Sequence, residues 1–357
     1  MPTKILITGI CGFVGSELAL ALQQHRTSET VEIIGIDNLS RNGSWRNRER
    51  LAQHGVSVLH GDIRLQTDVE MAGPVDWVID AAANPSVLAG VDGQSSSRQL
   101  IQCNLDGTIN LLEHCKNQEA GFILLSTSRV YSIPPLSRLP VVANENAFLV
   151  SDHPLPPGVS AAGISEDFST AAPVSLYGAT KLSSEQLALE YGQAFGFPVW
   201  INRCGVMAGA GQFGKADQGI FAFWLHSWKE GKPLKYIGFG GHGHQVRDCL
   251  HPRDLAPLLL KQLNSEDSQK PPVVNVSGGA ASAMSLAQLS QWCRGRWGQR
   301  EVEVDDRPRP FDLPWVVLDH SQATACWDWT PETTSQQVLT EIADFADTQT
   351  DWIGFSK

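Results

Sequence analysis

The chain is poor in several things that would decide its class at once. Its 357 residues include only four tyrosines and seven cysteines, and its 27 basic residues are outnumbered by 38 acidic ones. The cysteines, Cys11, Cys103, Cys115, Cys204, Cys249, Cys293 and Cys326, are odd in number and scattered, with no CxxC pair. That pattern excludes a disulfide framework and fits a reduced, cytoplasmic compartment. A formal net charge of -11 is a poor match for a polyanion held by phosphate neutralisation, so nucleic acid is not an expected partner. No apolar run approaches the roughly twenty residues of a membrane span, so no membrane partner is expected. The stretch from Lys4 to Leu22 is interrupted by Gly9, Gly12, Gly15 and Glu17, which argues against a signal peptide. Repeats and low-complexity tracts are lacking too.

What is present is an alternation. The runs KILITG (4–9), VEIIGID (31–37), VSVLHGD (56–62), DWVIDAA (76–82), GFILLST (121–127) and FPVWINR (197–203) each read as a buried strand. Helical patterns such as ELALALQQH, LDGTINLLEHC and KLSSEQLALEYGQAF lie between them. Strand and helix in turn predict an α/β fold, a Rossmann-type doubly wound parallel sheet covered on both faces. Residues 133–172, rich in Pro, Ala, Ser and Gly, break the rhythm and read as a long loop. Beyond residue 204, Gly-rich turns and Trp-rich helices predict a smaller C-terminal α/β unit.

The first strand runs into Gly9-x-x-Gly12-x-x-Gly15 and then a helix, a turn that lets backbone N–H groups approach a pyrophosphate. Asp37 ends the second strand, where a carboxylate accepts hydrogen bonds from both ribose hydroxyls and repels a 2'-phosphate; this favours NAD over NADP, although Arg41 lies near. Asp62 is a candidate for the adenine edge or for a helix cap. Tyr177 and Lys181 stand at i and i+4 on a helix, so that the ammonium and the phenol share a face and Tyr177 is a candidate base.

Taken together, TGxxGFxG (8–15), DNLSR (37–41), HGDIR (60–64), LSTSRVY (125–131) and YGATK (177–181) resemble an extended short-chain dehydrogenase/reductase of the NAD-dependent epimerase/dehydratase family over most of the chain. The resemblance implies a tightly held NAD+ and a nucleotide-diphosphate sugar as substrate. It implies catalysis by Thr127, Tyr177 and Lys181. The cofactor would be bound by Gly9, Gly12, Phe13, Val14, Gly15, Asp37, Asn38, Arg41, Asp62, Ile63, Ala81, Ala82, Asn104, Tyr177 and Lys181. Asn104 matches a helix asparagine that orders the active-site backbone. Residues 1–203, with 243–277 returning to them, would form the NAD-binding domain; 204–242 and 278–357 would form the substrate-binding subdomain. Pairing through segments 101–116 and 177–195 would give a homodimer, or a homotetramer.

Dehydratases of this kind carry Asp-Glu directly after the threonine, whereas this chain has Ser128 and Arg129, which removes the acid–base pair that eliminates water. The segments RCGVMAGAGQFGKADQGIFAFW (203–224) and GHQVRDCLHPRDL (243–255) are similar to those of CDP-tyvelose (CDP-paratose) 2-epimerases. That resemblance places Thr127, Gln212, Asp217, Gln218, Arg247 and Arg309 at the substrate, the two arginines on its diphosphate. The expected reaction is C2 epimerisation through a 2-keto sugar. The alternatives are 4-epimerisation, net oxidation or reduction of a nucleotide sugar, or an idle NAD-sensing protein. His242, His244, Cys249 and His251 fit no zinc spacing, and no metal is expected.

Overall fold

Consecutive side chains leave a strand on opposite faces, and the apolar residues of the central strands divide accordingly. Ile5, Ile7, Trp77, Ile79, Ile123, Leu125 and Trp200 enter one core, whereas Leu6, Val78, Phe122, Leu124 and Ile201 enter another on the far side. Each such fully buried side chain contributes about 1.5–3 kcal/mol of hydrophobic stabilisation, so a sheet apolar on both faces must be covered on both. The computed structural model, which describes residues 2–25, 31–91, 93, 95–265, 267 and 269–356, shows this arrangement. The strands are β1 (Thr3–Thr8), β2 (Val31–Asp37), β3 (Ser57–His60), β4 (Trp77–Asp80), β5 (Gly121–Thr127), β6 (Val199–Cys204) and β7 (Val273–Val276). All pair in parallel, in the order β7-β6-β5-β4-β1-β2-β3. The Phe13–Gln24 and Leu255–Leu263 helices cover the first face, and the Gly107–Gln118 and Ser175–Phe195 helices the second. Chain order reverses between β1 and β4, which opens a ligand crevice beyond the carboxyl ends of the strands.

Two expectations need correction. The third run, read as buried, is the edge strand β3, whose Ser57 and His60 are exposed and whose Val58 and Leu59 are half-buried, because it has a neighbour on one side only. Residues 133–172 are not one aperiodic loop. They fold into the Ile133–Ser137 helix, an antiparallel pair of Val141–Asn144 with Ala147–Val150, and a second pair of Val159–Ser160 with Gly163–Ile164. Strands of two to four residues are too short to show a period. They fold because Leu136, Ala147, Ile164 and Phe168 share a core with Trp315, Val317 and Leu318 from the far end of the chain.

The Ile220–Lys229, Leu286–Trp297 and Ser335–Thr348 helices pack around Trp224, Trp228, Leu289, Val338 and Ile342. Ser285 and Thr334 start the last two of these helices with capping boxes. Trp327 and Trp329 instead enter the first core of the sheet, Trp327 standing edge-on to Trp200 at 4.9 Å. Among the described residues no helix is long and apolar enough to cross a membrane.

Candidate active site

The turn after β1 explains its glycines. Gly9 has a φ of +60°, and a Cβ on Gly15 would sit 2.4 Å from the Gly9 carbonyl oxygen, so the helix can start this close to the strand only without one. The turn borders a groove of about 640 Å³. Gly9, Gly12, Phe13, Val14, Gly15, Asp37, Asn38, Arg41, Asp62, Ile63, Ala81 and Ala82 all line it. Asp37 accepts the backbone N–H of Cys11 (2.9 Å) and of Leu39 (2.7 Å), and its burial raises its pKa. Asp62 is held by Arg64 and by Asn38 (3.0 Å), and the Arg64 hydrogen bonds pull its pKa down to about 2. Thr8 donates to Asp80 (2.8 Å) and accepts the N–H groups of Ala81 and Ala82, which pins the backbone at the crevice. A side-chain-free turn at a helix start, a strand-end carboxylate and an elongated groove fit a dinucleotide.

Asn104 lies in a π-helical turn, Gln102–Asp106, at the foot of the Gly107–Gln118 helix. It is buried behind the groove, accepting from Asn84 N–H (2.8 Å) and donating to the Asn84 carbonyl (3.1 Å). Its contribution is to hold the loop after β4.

A second cavity, of about 350 Å³, adjoins the groove, the two sharing Val14, Ala81, Ala83, Pro85, Gln212, Asp217 and Gln218 in their walls. Thr127 and Tyr177 both line this second cavity, where the Thr127 side chain acts on the phenol. Burial pushes the Tyr177 phenol up to about 12, against the downward pull of the Thr127 hydrogen bond and the Arg129 charge. The Lys181 ammonium is buried, which lowers its pKa, and the groups acting on its charge are Asp80, Glu185 and Cys204. The Arg129 guanidinium also acts on Tyr177, a cation that the sequence did not point to.

Arg129 is a functional candidate that sequence reasoning passed over, having noted it only as a missing acid. Its backbone N–H donates to Thr127 Oγ1 (3.2 Å) and its Nη1 to the Phe311 carbonyl (3.2 Å). A Cβ on Gly178 would lie 2.2 Å from the Arg129 carbonyl oxygen, so the helix carrying Tyr177 rests directly on this residue. Loss of hydration lowers the Arg129 pKa to about 10, with a further downward push from Arg247. Arg129, Arg247, Arg309 and Asp312 line one cavity, where Arg247 donates to Asp312 at 2.9 Å.

Gln245 was also missed. It stands two residues before Arg247, on the same face of the Val246–Arg247 strand, and its Oε1 is buried without a partner, as is that of Gln212. Nε2 of Gln245 is committed to the Ile237 carbonyl (3.1 Å) and that of Gln212 to the Met207 carbonyl (2.8 Å). Both amide oxygens are thus buried acceptors without a partner, and a buried acceptor left alone costs about 1–3 kcal/mol. Asp217 and Gln218, expected at the substrate, line the second cavity and the groove alike, with hydrogen bonds to Ser86 and Arg41 on the groove side.

The chain is 28% identical to the CDP-paratose 2-epimerase of Salmonella typhi over 96% of its own length and 98% of that protein's. It is 26% identical to UDP-glucuronate 4-epimerase 2 of Arabidopsis thaliana, over 94% of this chain and 74% of the relative. Among solved structures, the UDP-glucose 4-epimerase of Thermus thermophilus in complex with NAD superposes with a TM-score of 0.73 at 24% identity, covering 97% of this chain and 99% of that one. A profile of the NAD dependent epimerase/dehydratase family matches residues 5–277, a span that takes in every strand of the sheet and both walls of the junction. The chain thus belongs to the NAD dependent epimerase/dehydratase family.

Proposed function

We propose that this protein is an NAD-dependent nucleotide-sugar epimerase that inverts C2 of a CDP-hexose of the CDP-paratose type through a 2-keto sugar. The observation that carries the reaction class is that Thr127 and Tyr177 stand together in the wall of the arginine-lined cavity that adjoins the groove. NAD, when bound, takes up and returns a hydride. Tyr177, as phenolate, accepts the proton of the reacting hydroxyl while Thr127 orients it; Tyr177 returns that proton when the sugar is reduced from its other face. Catalysis requires the phenolate, so the charge of Arg129 beside a buried phenol works in the productive direction.

Arg247 and Arg309 are read as the diphosphate anchors. Three guanidinium groups, of Arg129, Arg247 and Arg309, against the carboxylates of Asp217 and Asp312 leave the cavity a positive surplus, which suits an anionic diphosphate. The C2 assignment is supported by the relation to the Salmonella enzyme and by the Gln212–Gly219 segment at the junction. Ser128 and Arg129, in the place of a carboxylate pair, speak against dehydration. Ile101 and Phe195, exposed on the two helical segments beside the site, support pairing of two copies there, which light scattering at micromolar concentration tests.

The deciding experiment is proton NMR of the purified protein with CDP-, GDP- and UDP-hexoses, CDP-paratose among them, without added cofactor. The expected product is the C2 epimer of a CDP sugar. A C4 epimer would replace the position of attack, a reading that the relation to a UDP-glucuronate 4-epimerase keeps open. Stoichiometric consumption of added NAD+ or NADH would replace epimerisation by net redox chemistry.

A further inference from the structure

The segment after β6 crosses from the substrate cavity to the cofactor groove and is tied down on both banks. On one bank Arg41, in the loop after β2, donates Nη1 to Gln218 Oε1 (3.2 Å) and Nη2 to the Phe213 carbonyl. The same bank packs against the Phe213 ring, since a Cβ on Gly43 would lie 2.6 Å from it. On the other bank Ser86, in the loop after β4, donates to Asp217 Oδ2 at 2.6 Å. A third tie comes from the substrate side, where Arg309 Nη2 donates to the Ala216 carbonyl at 3.3 Å. The outer face of Phe213 is stacked on Trp352 with ring centroids 5.2 Å apart.

We propose that residues 212–218 form a clasp over the cofactor groove, closed by the Arg41–Gln218 and Ser86–Asp217 contacts, which keeps the cofactor on the enzyme through the reaction cycle. Both loops that it grips border the groove, so a dinucleotide lying along the carboxyl ends of β1, β2 and β4 passes beneath it. The chemistry of the family gives the clasp its purpose. An epimerase that lets its reduced cofactor go after the first hydride transfer strands an oxidised sugar; one that keeps it ends each turnover with the cofactor in its starting form. A dehydrogenase, which exchanges cofactor every turnover, gains nothing from such a closure. The Arg309 tie links the clasp to the residue read as a diphosphate anchor, so bound nucleotide sugar adds to the closure.

The proposal rests on the NAD site and not on the sugar assignment, so its test uses no sugar. Full-length wild type, Ser86→Ala, Asp217→Ala and the double variant are loaded with NAD+. Release is followed by stopped-flow displacement and by cofactor content after gel filtration. Wild type retains NAD, and each single variant releases it roughly tenfold faster, the loss of one charge-assisted hydrogen bond. The double variant is no faster than the singles, because both substitutions remove the same contact. Rates unchanged from wild type, or single effects that multiply in the double variant, as two separate contacts to NAD would give, overturn the clasp. Rapid exchange of NAD in the wild type does the same. Should Asp217→Ala lower the melting temperature, Gln218→Ala, which removes the Arg41 tie on the other bank, takes its place.

Discussion

The two halves of the junction are finished to different degrees. On the cofactor side the protein has answered its own polar groups: Asp37 receives two backbone N–H groups, Asp62 is gripped by Arg64 and Asn38, and Asp80 takes hydroxyls from Thr8 and Thr108. On the substrate side the accounts are open. The buried amide oxygen of Gln245 lacks a partner, and three guanidinium groups share the cavity with two carboxylates. The difference teaches that the groove is preorganised, whereas the cavity is completed by what enters it. Substitutions on the substrate side should therefore act mainly on turnover and KM, and those on the cofactor side mainly on stability and cofactor retention.

The sharpest challenge to that division is Tyr177→Phe, which removes one oxygen at the junction. Loss of the proton acceptor should lower kcat by roughly 10²–10⁴-fold. NAD content should stay at the wild-type level, since the phenol is not among the groups that bind the groove together. Turnover above a tenth of wild type, measured by the NMR assay, would remove Tyr177 as the base. Next in size is Arg247→Met. Its partner Asp312 would be left in a mostly buried site, at a cost of about 1–3 kcal/mol in denaturant titrations. KM for the nucleotide sugar should rise by roughly ten- to a hundredfold while kcat changes little. A fall in kcat with KM unchanged would move Arg247 from the diphosphate to the reacting sugar.

A smaller effect separates the two cations beside the phenol. Arg129→Met takes away the charge that draws the Tyr177 pKa down, so the alkaline-rising limb of kcat against pH should move up by about one unit, and Arg129→Lys should restore most of it. A raised KM with an unmoved pH profile would make Arg129 a third diphosphate anchor instead.

The cofactor side was legible in the residues themselves, whereas Gln212, Asp217, Gln218, Arg247 and Arg309 came only through the resemblance, and the reason is geometric. The glycine turn, the strand-end Asp37 and the Tyr177/Lys181 spacing each lie within one short stretch, where period and local chemistry speak for themselves. Arg129, Arg247 and Arg309 are more than a hundred positions apart from first to last, and only the sheet brings them together. Arg129 did carry a local signal, since it lies in the turn capped by Thr127, two residues after it. Ser86 carried none, because its partner Asp217 is 131 residues away. Lys181 shows the limit from the other side: i,i+4 spacing puts it on the face of Tyr177, but spacing alone does not reveal that Asp80 and Glu185 act on its charge.

The least disruptive test of a self-satisfied cofactor side is Asp62→Asn. Its carboxylate lines the groove, yet its oxygens are taken up by Arg64 and Asn38, so NAD retention should change by no more than a few-fold. The larger consequence should be in stability. The folded pKa, pulled down to about 2 by the Arg64 hydrogen bonds, lies below the ordinary value of 3.8, so the ionised carboxylate contributes stability above that ordinary value and loses it as the pH falls toward about 2. Because the side chain is partly solvated, the contribution is about 1 kcal/mol. Urea titrations should therefore find wild type more stable than the variant by about that amount at pH 7 and pH 5. The gap should shrink below pH 4, as protonation costs the wild type what the amide has already given up. A gap that persists or widens on acidification would mean that Asp62 does not hold the loops together. A release of NAD as fast as in the clasp variants would place the open accounts of this molecule on the cofactor side as well.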